Sequence, residues 1–170
     1  MANDASFRLY LLRHAHAAWP VPGSRDFDRP LDAHGRAEAR DITEQALLAG
    51  FRPDLVIASP AERCRQTAET FASAFDGLAL EYDRDLYANG EAVYLDRIRS
   101  HFARPSLMLV GHNPMIETVA LQLSEKSDVL APLIAGYPTA GLLVLDFTRP
   151  LDGDVFHAAT PVALITPSFT

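Results

Sequence analysis

The chain predicts an α/β fold, a single-domain three-layer α/β/α sandwich on a mostly parallel sheet. Strand-length apolar runs (FRLYLL, DLVIA, SLMLV) alternate with segments of helical character, the pattern of a sheet covered on both faces. Two of these runs break off into polar sequence carrying histidine, at Arg13-His14 and Gly111-His112. Open α/β sheets carry their sites just beyond the carboxyl ends of strands. At 170 residues, 48% of them hydrophobic, the chain can bury one sizeable core and is short for two ordinary domains. Residues 1–170 therefore read as one domain, with no repeat and no linker.

The elements follow in order. Phe7 to Leu12 is the first strand, apolar and of strand length. Trp19 to Pro30 holds three prolines and a glycine and reads as an irregular loop. His34 to Gly50 is helical in pattern and stops at its glycine. Asp54 to Ala58 forms a second strand, and Ser59-Pro60 supplies an N-cap and a first-position proline to a helix from about Ala61 to Ala74. That places Arg63 in the helix's first turn. A third strand covers Leu78 to Tyr82, then come a loop and a helix from about Glu91 to Phe102. Ser106 to Val110 is the fourth strand, Met115 to Leu123 a helix, the stretch through Tyr137 a loop, and Leu142 to Phe147 a further strand. The closing VFHAATPVALITP adds one or two edge strands, because its prolines cannot donate to a central ladder.

Charge and composition exclude several functions. The formal net charge is -7, whereas general nucleic-acid binding needs a broad basic surface. An anionic substrate must therefore find a local positive pocket. Lys126 is the only lysine, so arginine, the better planar fork for phosphate oxygens, supplies nearly all the positive charge. The opening MANDASFRLYLLRHAHAA lacks the basic, apolar and small-residue regions of an export signal. No apolar run approaches the roughly 20 residues of a membrane span. Cys64 is the sole cysteine, so one chain forms neither a disulfide nor a cysteine-based zinc cluster. The expectation is a cytoplasmic protein with no nucleic-acid or membrane partner and an open number of subunits.

In a parallel sheet, strand ends far apart in sequence converge on one edge. Arg13 and His14, Arg63 at the start of a helix, and His112 would then share a crevice. Guanidinium groups offer fixed donors to phosphate oxygens, a helix N-terminus adds amides, and an imidazole can attack phosphorus to form a covalent intermediate. The reading is a phosphate pocket that works without a cofactor and without a metal.

These residues resemble the histidine phosphatase superfamily, which includes the phosphoglycerate mutases and small phosphohistidine phosphatases. LYLLRHAHA is similar to the family's strand and Arg-His-Gly motif, with Ala15 in place of glycine; LVIASPAERCRQTAE resembles the second arginine motif, and LMLVGHNPMIE the second histidine motif. The GHNP form, the DRPLxxxG segment and the short length most resemble the SixA branch. The resemblance implies a phosphoglycerate mutase-like fold. It implies His14 as nucleophile, Arg13, Arg63 and His112 as phosphoryl-binding groups, and a phosphohistidine protein or a small phosphorylated metabolite as the partner. Departures matter too. His16 and Pro20 stand where mutase-like members carry glutamate and asparagine, although Trp19 keeps its place. Where the mutases have a proton-donating acid the alignment gives Ala88, leaving Asp85 and Glu91 as neighbours. His16, Asp85 and Asn113 are tentative pocket residues.

Taken singly, His14 is an ordinary strand-end histidine, His112 a turn residue and Arg63 a solvated helix residue. Their ordered recurrence makes the pocket reading the better one. His34, His101, His157, Arg40 and Arg65 read as surface or structural positions. Cys64 reads as a buried small residue, since a cysteine phosphatase needs an arginine six positions on and Thr70 stands there. Competing functions are a small-molecule phosphomonoesterase or mutase, a metal-dependent hydrolase using His14 and His16, and a non-catalytic phosphoprotein-binding module. The chain is short for a mutase lid and for the (β/α)₈ barrel of such hydrolases, and the module reading is at odds with a retained His14.

Overall fold

Six strands form one sheet in the order β3-β2-β4-β1-β5-β6. The computed structural model describes residues 6–150 and 154–169; the first five residues of the opening stretch read above for export lie outside them. β1 (Ser6–Arg13), β2 (Leu55–Ala58), β3 (Ala79–Tyr82) and β4 (Ser106–Gly111) pair in parallel, whereas β5 (Leu142–Thr148) runs antiparallel to β1 and to the edge strand β6 (Ala159–Ile165). β5 alone is reversed, so the sheet is mostly parallel as expected. Pro161 sits in β6, beside a register shift opposite Val144 and Leu145, the edge position a proline tolerates.

The period-two alternation of β1 divides the core. Phe7, Leu9 and Leu11 face a layer made by α4 (Glu91–Ser100) and α5 (Met115–Leu123). Tyr10 and Leu12 face the opposite layer, α1 (Ala33–Leu48) and α2 (Glu62–Ala72). Helices on both faces bury the central strands β1, β2 and β4, whose ends remain available for a site.

Helix boundaries follow their caps. The Asp32 side chain accepts from the Gly35 amide at 2.7 Å and starts α1, and Gly50, at φ +72°, follows its end. Gly35 is required by space as well, because a Cβ there would lie 1.9 Å from the His16 carbonyl oxygen. α2 departs from the sequence expectation. It begins at Glu62 after an Ala61 cap, so Ser59 and Pro60 lie before the helix. The Ser59 hydroxyl is drawn instead to His112, and it accepts only a long 3.3 Å bond from the Ala61 amide. Three segments read as loop contain short helical turns: Asp26–Asp28, α3 (Asp85–Ala88) and Asp128–Ala135.

Candidate active site

β1 and β4 are neighbours in parallel register, Arg13 opposite Gly111, so both strands deliver their next residue to the same edge. The His14 amide donates to the Gly111 carbonyl at 3.0 Å, and the His14 and His112 rings meet edge to face with centroids 5.4 Å apart. Ala15 takes the glycine place without strain, as it is absent from the positive-φ residues. Its buried amide donates to the Thr67 hydroxyl on α2 at 3.1 Å.

Hydrogen bonds set the tautomers of both rings. His14 Nδ1 lies 2.7 Å from the Ala15 carbonyl oxygen; a carbonyl can only accept, so Nδ1 carries the proton and the neutral ring keeps a bare Nε2. His112 is the reverse. Arg63 approaches its Nδ1 at 3.3 Å and can only donate, leaving Nε2–H to donate to the Ser59 hydroxyl at 2.7 Å. Burial holds both rings neutral. It drops His14 to about 3 against the pull of the Ala15 hydrogen bond, with the guanidinium charges of Arg63 and Arg13 adding to it, and drops His112 to about 4 with the help of Arg63.

The two arginines enter from different elements. Arg63, in the first turn of α2, is buried and donates to the Asp26 backbone oxygen at 2.8 Å and carboxylate at 2.9 Å. Arg13 donates to the Tyr137 carbonyl, while its buried Nε has no acceptor among the described residues. A part-buried guanidinium with an unused donor is suited to an incoming oxyanion.

The tentative residues separate. Asn113 stays at the site's edge, donating to Glu117 at 3.0 Å with its Oδ1 buried and unpartnered. His16 turns to Asp32 at 2.8 Å and to the His34 ring, away from His14. The structure does not bring Asp85 to the histidines: its carboxylate bonds Arg97 at 3.4 Å and Asn89 at 3.2 Å in solvent. Glu91, exposed at the start of α4, makes no hydrogen bond to the pocket either. Cys64 is fully buried beside His112, its thiol pushed up to about 12 by desolvation, which removes it as a nucleophile. Among the described residues no group of three or more His, Cys, Asp or Glu side chains is placed to hold a metal ion, and no helix is long and apolar enough to cross a membrane.

Several participants carry no sequence signal of their own. Asp26 holds Arg63, Ser59 holds His112, and the buried Glu38 accepts from the His16 amide and the Thr139 hydroxyl. Glu117 accepts from both Asn113 and the Tyr137 amide. A cleft of about 670 Å³ opens beside this network, lined by Arg13, Glu38, Asn113, Tyr137, His34 and Phe169 among others. The histidine pair lies next to the cleft and shares only Arg13 and Asn113 with it. His34, read as surface, is half-exposed and 3.3 Å from Glu38.

A family model described as histidine phosphatase superfamily (branch 1) matches residues 9–88. A solved structure from Agrobacterium tumefaciens, assigned as a phosphohistidine phosphatase SixA, is 39% identical, with 94% of this chain and 97% of that one covered at a TM-score of 0.84. A second, from Nakamurella multipartitia and likewise assigned, is 26% identical over 96% and 98% of the two chains at 0.78. An uncharacterized chloroplastic protein of Arabidopsis thaliana is 34% identical over 137 residues, 74% of this chain; the matched stretch is 63% of the plant protein's length. Identity of 39% across almost the whole of two chains of one fold fixes the kinship, and the chain belongs to the histidine phosphatase superfamily.

Proposed function

We propose that this chain is a cytoplasmic phosphatase that removes the phosphoryl group from phosphohistidine on a protein, through a phosphohistidine intermediate on His14. The observation that carries the reading is the pinned tautomer of His14. With Nδ1–H committed to the Ala15 carbonyl, Nε2 offers a lone pair at neutral pH without any general base. Arg13 and Arg63 supply permanent positive charge to the phosphoryl oxygens, and His112 adds a donor once the anion draws a proton to its Nδ1. Nε2 attacks phosphorus and the leaving group departs. Water then attacks the phosphoryl group and frees His14.

Among the described residues neither Asp85 nor Glu91 is brought to the histidine pair, which favours phosphohistidine over esters. An alkoxide leaves poorly without protonation, and a general acid typically supplies about 10² to 10⁴ in rate. Imidazole, with a pKa near 6.5, leaves as a neutral ring if its other nitrogen already holds a proton. The SixA assignment of the Agrobacterium relative supports the same substrate class. One observation favours a second reading, a small-molecule phosphomonoesterase: the cleft of about 670 Å³ beside Arg13 is large enough for a metabolite's leaving group.

The test is a panel of a phosphohistidine peptide, a phosphoserine peptide, a sugar phosphate and an aryl phosphate, compared by kcat/KM. The phosphohistidine peptide should lead. His14→Ala should abolish turnover and the acid-labile phosphoenzyme while the protein stays folded. Full activity in that variant would remove His14 as nucleophile, and a lead for the sugar phosphate would establish the second reading.

A further inference from the structure

Asp26 is the acidic side chain bonded directly to a phosphoryl-binding arginine, and the mechanism above leaves it idle. Its Oδ2 receives Arg63 at 2.9 Å and the Tyr87 hydroxyl at 3.3 Å, while Oδ1 receives Arg29 at 2.9 Å. A carboxylate offers about four acceptor positions. Three are taken, and the fourth is on Oδ1, on a side chain that is 51% exposed. The group is anchored on its inner side and open on its outer side. Phe27 and Tyr87 pack edge to face at 5.0 Å, and Tyr87 packs on His112 at 5.6 Å, so the Asp26 turn is seated over the histidine pocket.

A phosphoryl oxygen taking a hydrogen bond from Arg63 would share that guanidinium with Asp26. Two acceptors on one nitrogen lie within roughly 6 Å of each other. At that range a second negative charge opposes a phosphate ester, whose neutral leaving group brings nothing to offset it. A phosphohistidine differs, because in its protonated form the ring presents an N–H and a positive charge on the nitrogen that does not carry the phosphoryl group.

We propose that Asp26 is the specificity residue of the site: its carboxylate accepts the free ring N–H of a phosphohistidine substrate and so favours an imidazole leaving group over an alcohol. The inference rests on the phosphohistidine reading of the preceding subsection. It makes the two rings of the transfer equivalent. On the enzyme's ring the far nitrogen's proton is held by the Ala15 carbonyl at 2.7 Å; on the substrate's ring it is held by Asp26. The lone pair of His14 Nε2 forms the new P–N bond, and the old P–N bond breaks with its electron pair returning to the substrate ring. That ring leaves neutral with the proton it already carried. Water then adds to phosphorus, both its hydrogens leaving on dihydrogenphosphate, and the P–N pair returns to Nε2.

The experiment compares the parent with Asp26→Asn, which keeps the shape and removes the charge, on a phosphohistidine peptide and an aryl phosphate. Loss of a hydrogen bond to a charged acceptor should lower kcat/KM for the peptide by about 10- to 100-fold, while the aryl phosphate, relieved of a like charge, turns over faster. Competitive inhibition by inorganic phosphate should strengthen, which also shows that the pocket stays intact. Equal losses on both substrates, or loss of phosphate inhibition, would mean that Asp26 only props Arg63, and would overturn the proposal. A loss confined to the aryl ester would make Asp26 a general acid, which overturns it too. A parent that favours the peptide beside a variant with an unchanged ratio defeats this inference alone. A parent inert on the peptide and active on the ester defeats the phosphohistidine reading with it.

Discussion

Acid should destabilise this fold through its own active site. His14 and His112 are held neutral by burial, at about 3 and about 4, whereas in the unfolded chain each returns to about 6.5. The unfolded state therefore binds more protons, so stability is whole above that value and is lost as pH falls from about 6.5 towards the folded values. At pH 7 an unfolded histidine is roughly one quarter protonated; at pH 5 it is almost fully so, and the folded rings are still neutral. Each ring then removes about 2 kcal/mol between pH 7 and pH 5, about 4 kcal/mol for the pair. That is a large share of the 5–15 kcal/mol typical of a domain. Asp26, Asp32 and Asp41, all held below the usual carboxylate value of 3.8, lose their contribution mainly below pH 5 and do not mask the effect. Urea unfolding at pH 7, 6 and 5 measures it directly. His14→Ala should lose about half of the pH dependence. Equal pH dependence in parent and variant, or constant stability from pH 7 to pH 5, would refute the assignment of buried neutral rings.

Arg63→Ala removes the donor that faces both His112 and the anion, and should lower kcat/KM by about 10² to 10³, measured on any substrate the parent turns over. Exhaustive chelation should leave turnover unchanged, because the arginines supply the charge that a metal would; loss with recovery by zinc or manganese would contradict this. Asp85→Asn and Glu91→Gln should keep kcat/KM within about twofold of the parent on ester substrates, since surface substitutions away from a site change little. Gly35→Ala drives a methyl group into the His16 carbonyl; overpacking of that kind costs about 1–3 kcal/mol, read as a lower midpoint in thermal unfolding.

What the sequence made legible is what periodicity and strand ends encode. β1 and β4 stop where polar residues begin, and parallel pairing brings Arg13, His14 and His112 to one edge. The Ser59-Pro60 pair shows the limit of local rules. Both residues fit a helix start, yet the hydroxyl finds a stronger partner in His112, 53 positions away. α3 is four residues long, too short for any apolar period to register. Asp26 lies in a loop with other acids at Asp28 and Asp32, and nothing local marks it as the one that meets Arg63. Glu117 and Tyr137 are likewise silent, because their role is to satisfy each other and Asn113 across 20 residues of chain.

In the proposed mechanism the site works in an acidic protein because its charge and its reactivity reside in different side chains. A guanidinium starts so far above neutrality that it stays charged even when buried. Burial lowers an imidazole in the same sense, but from an ordinary value near 6.5, so the His14 ring is neutral, and the neighbouring guanidinium charges push it further. In that mechanism one environment thus keeps the cations that would hold the phosphoryl group and frees the nitrogen that would attack it. A hydroxyl nucleophile in the same pocket would need a base to remove its proton; here the Ala15 carbonyl has only to choose which nitrogen keeps the proton. The cost appears as acid sensitivity. Glu38 and Glu117 are bound to amides, a hydroxyl and a side-chain amide, which leaves Asp26 as the carboxylate bonded to Arg63.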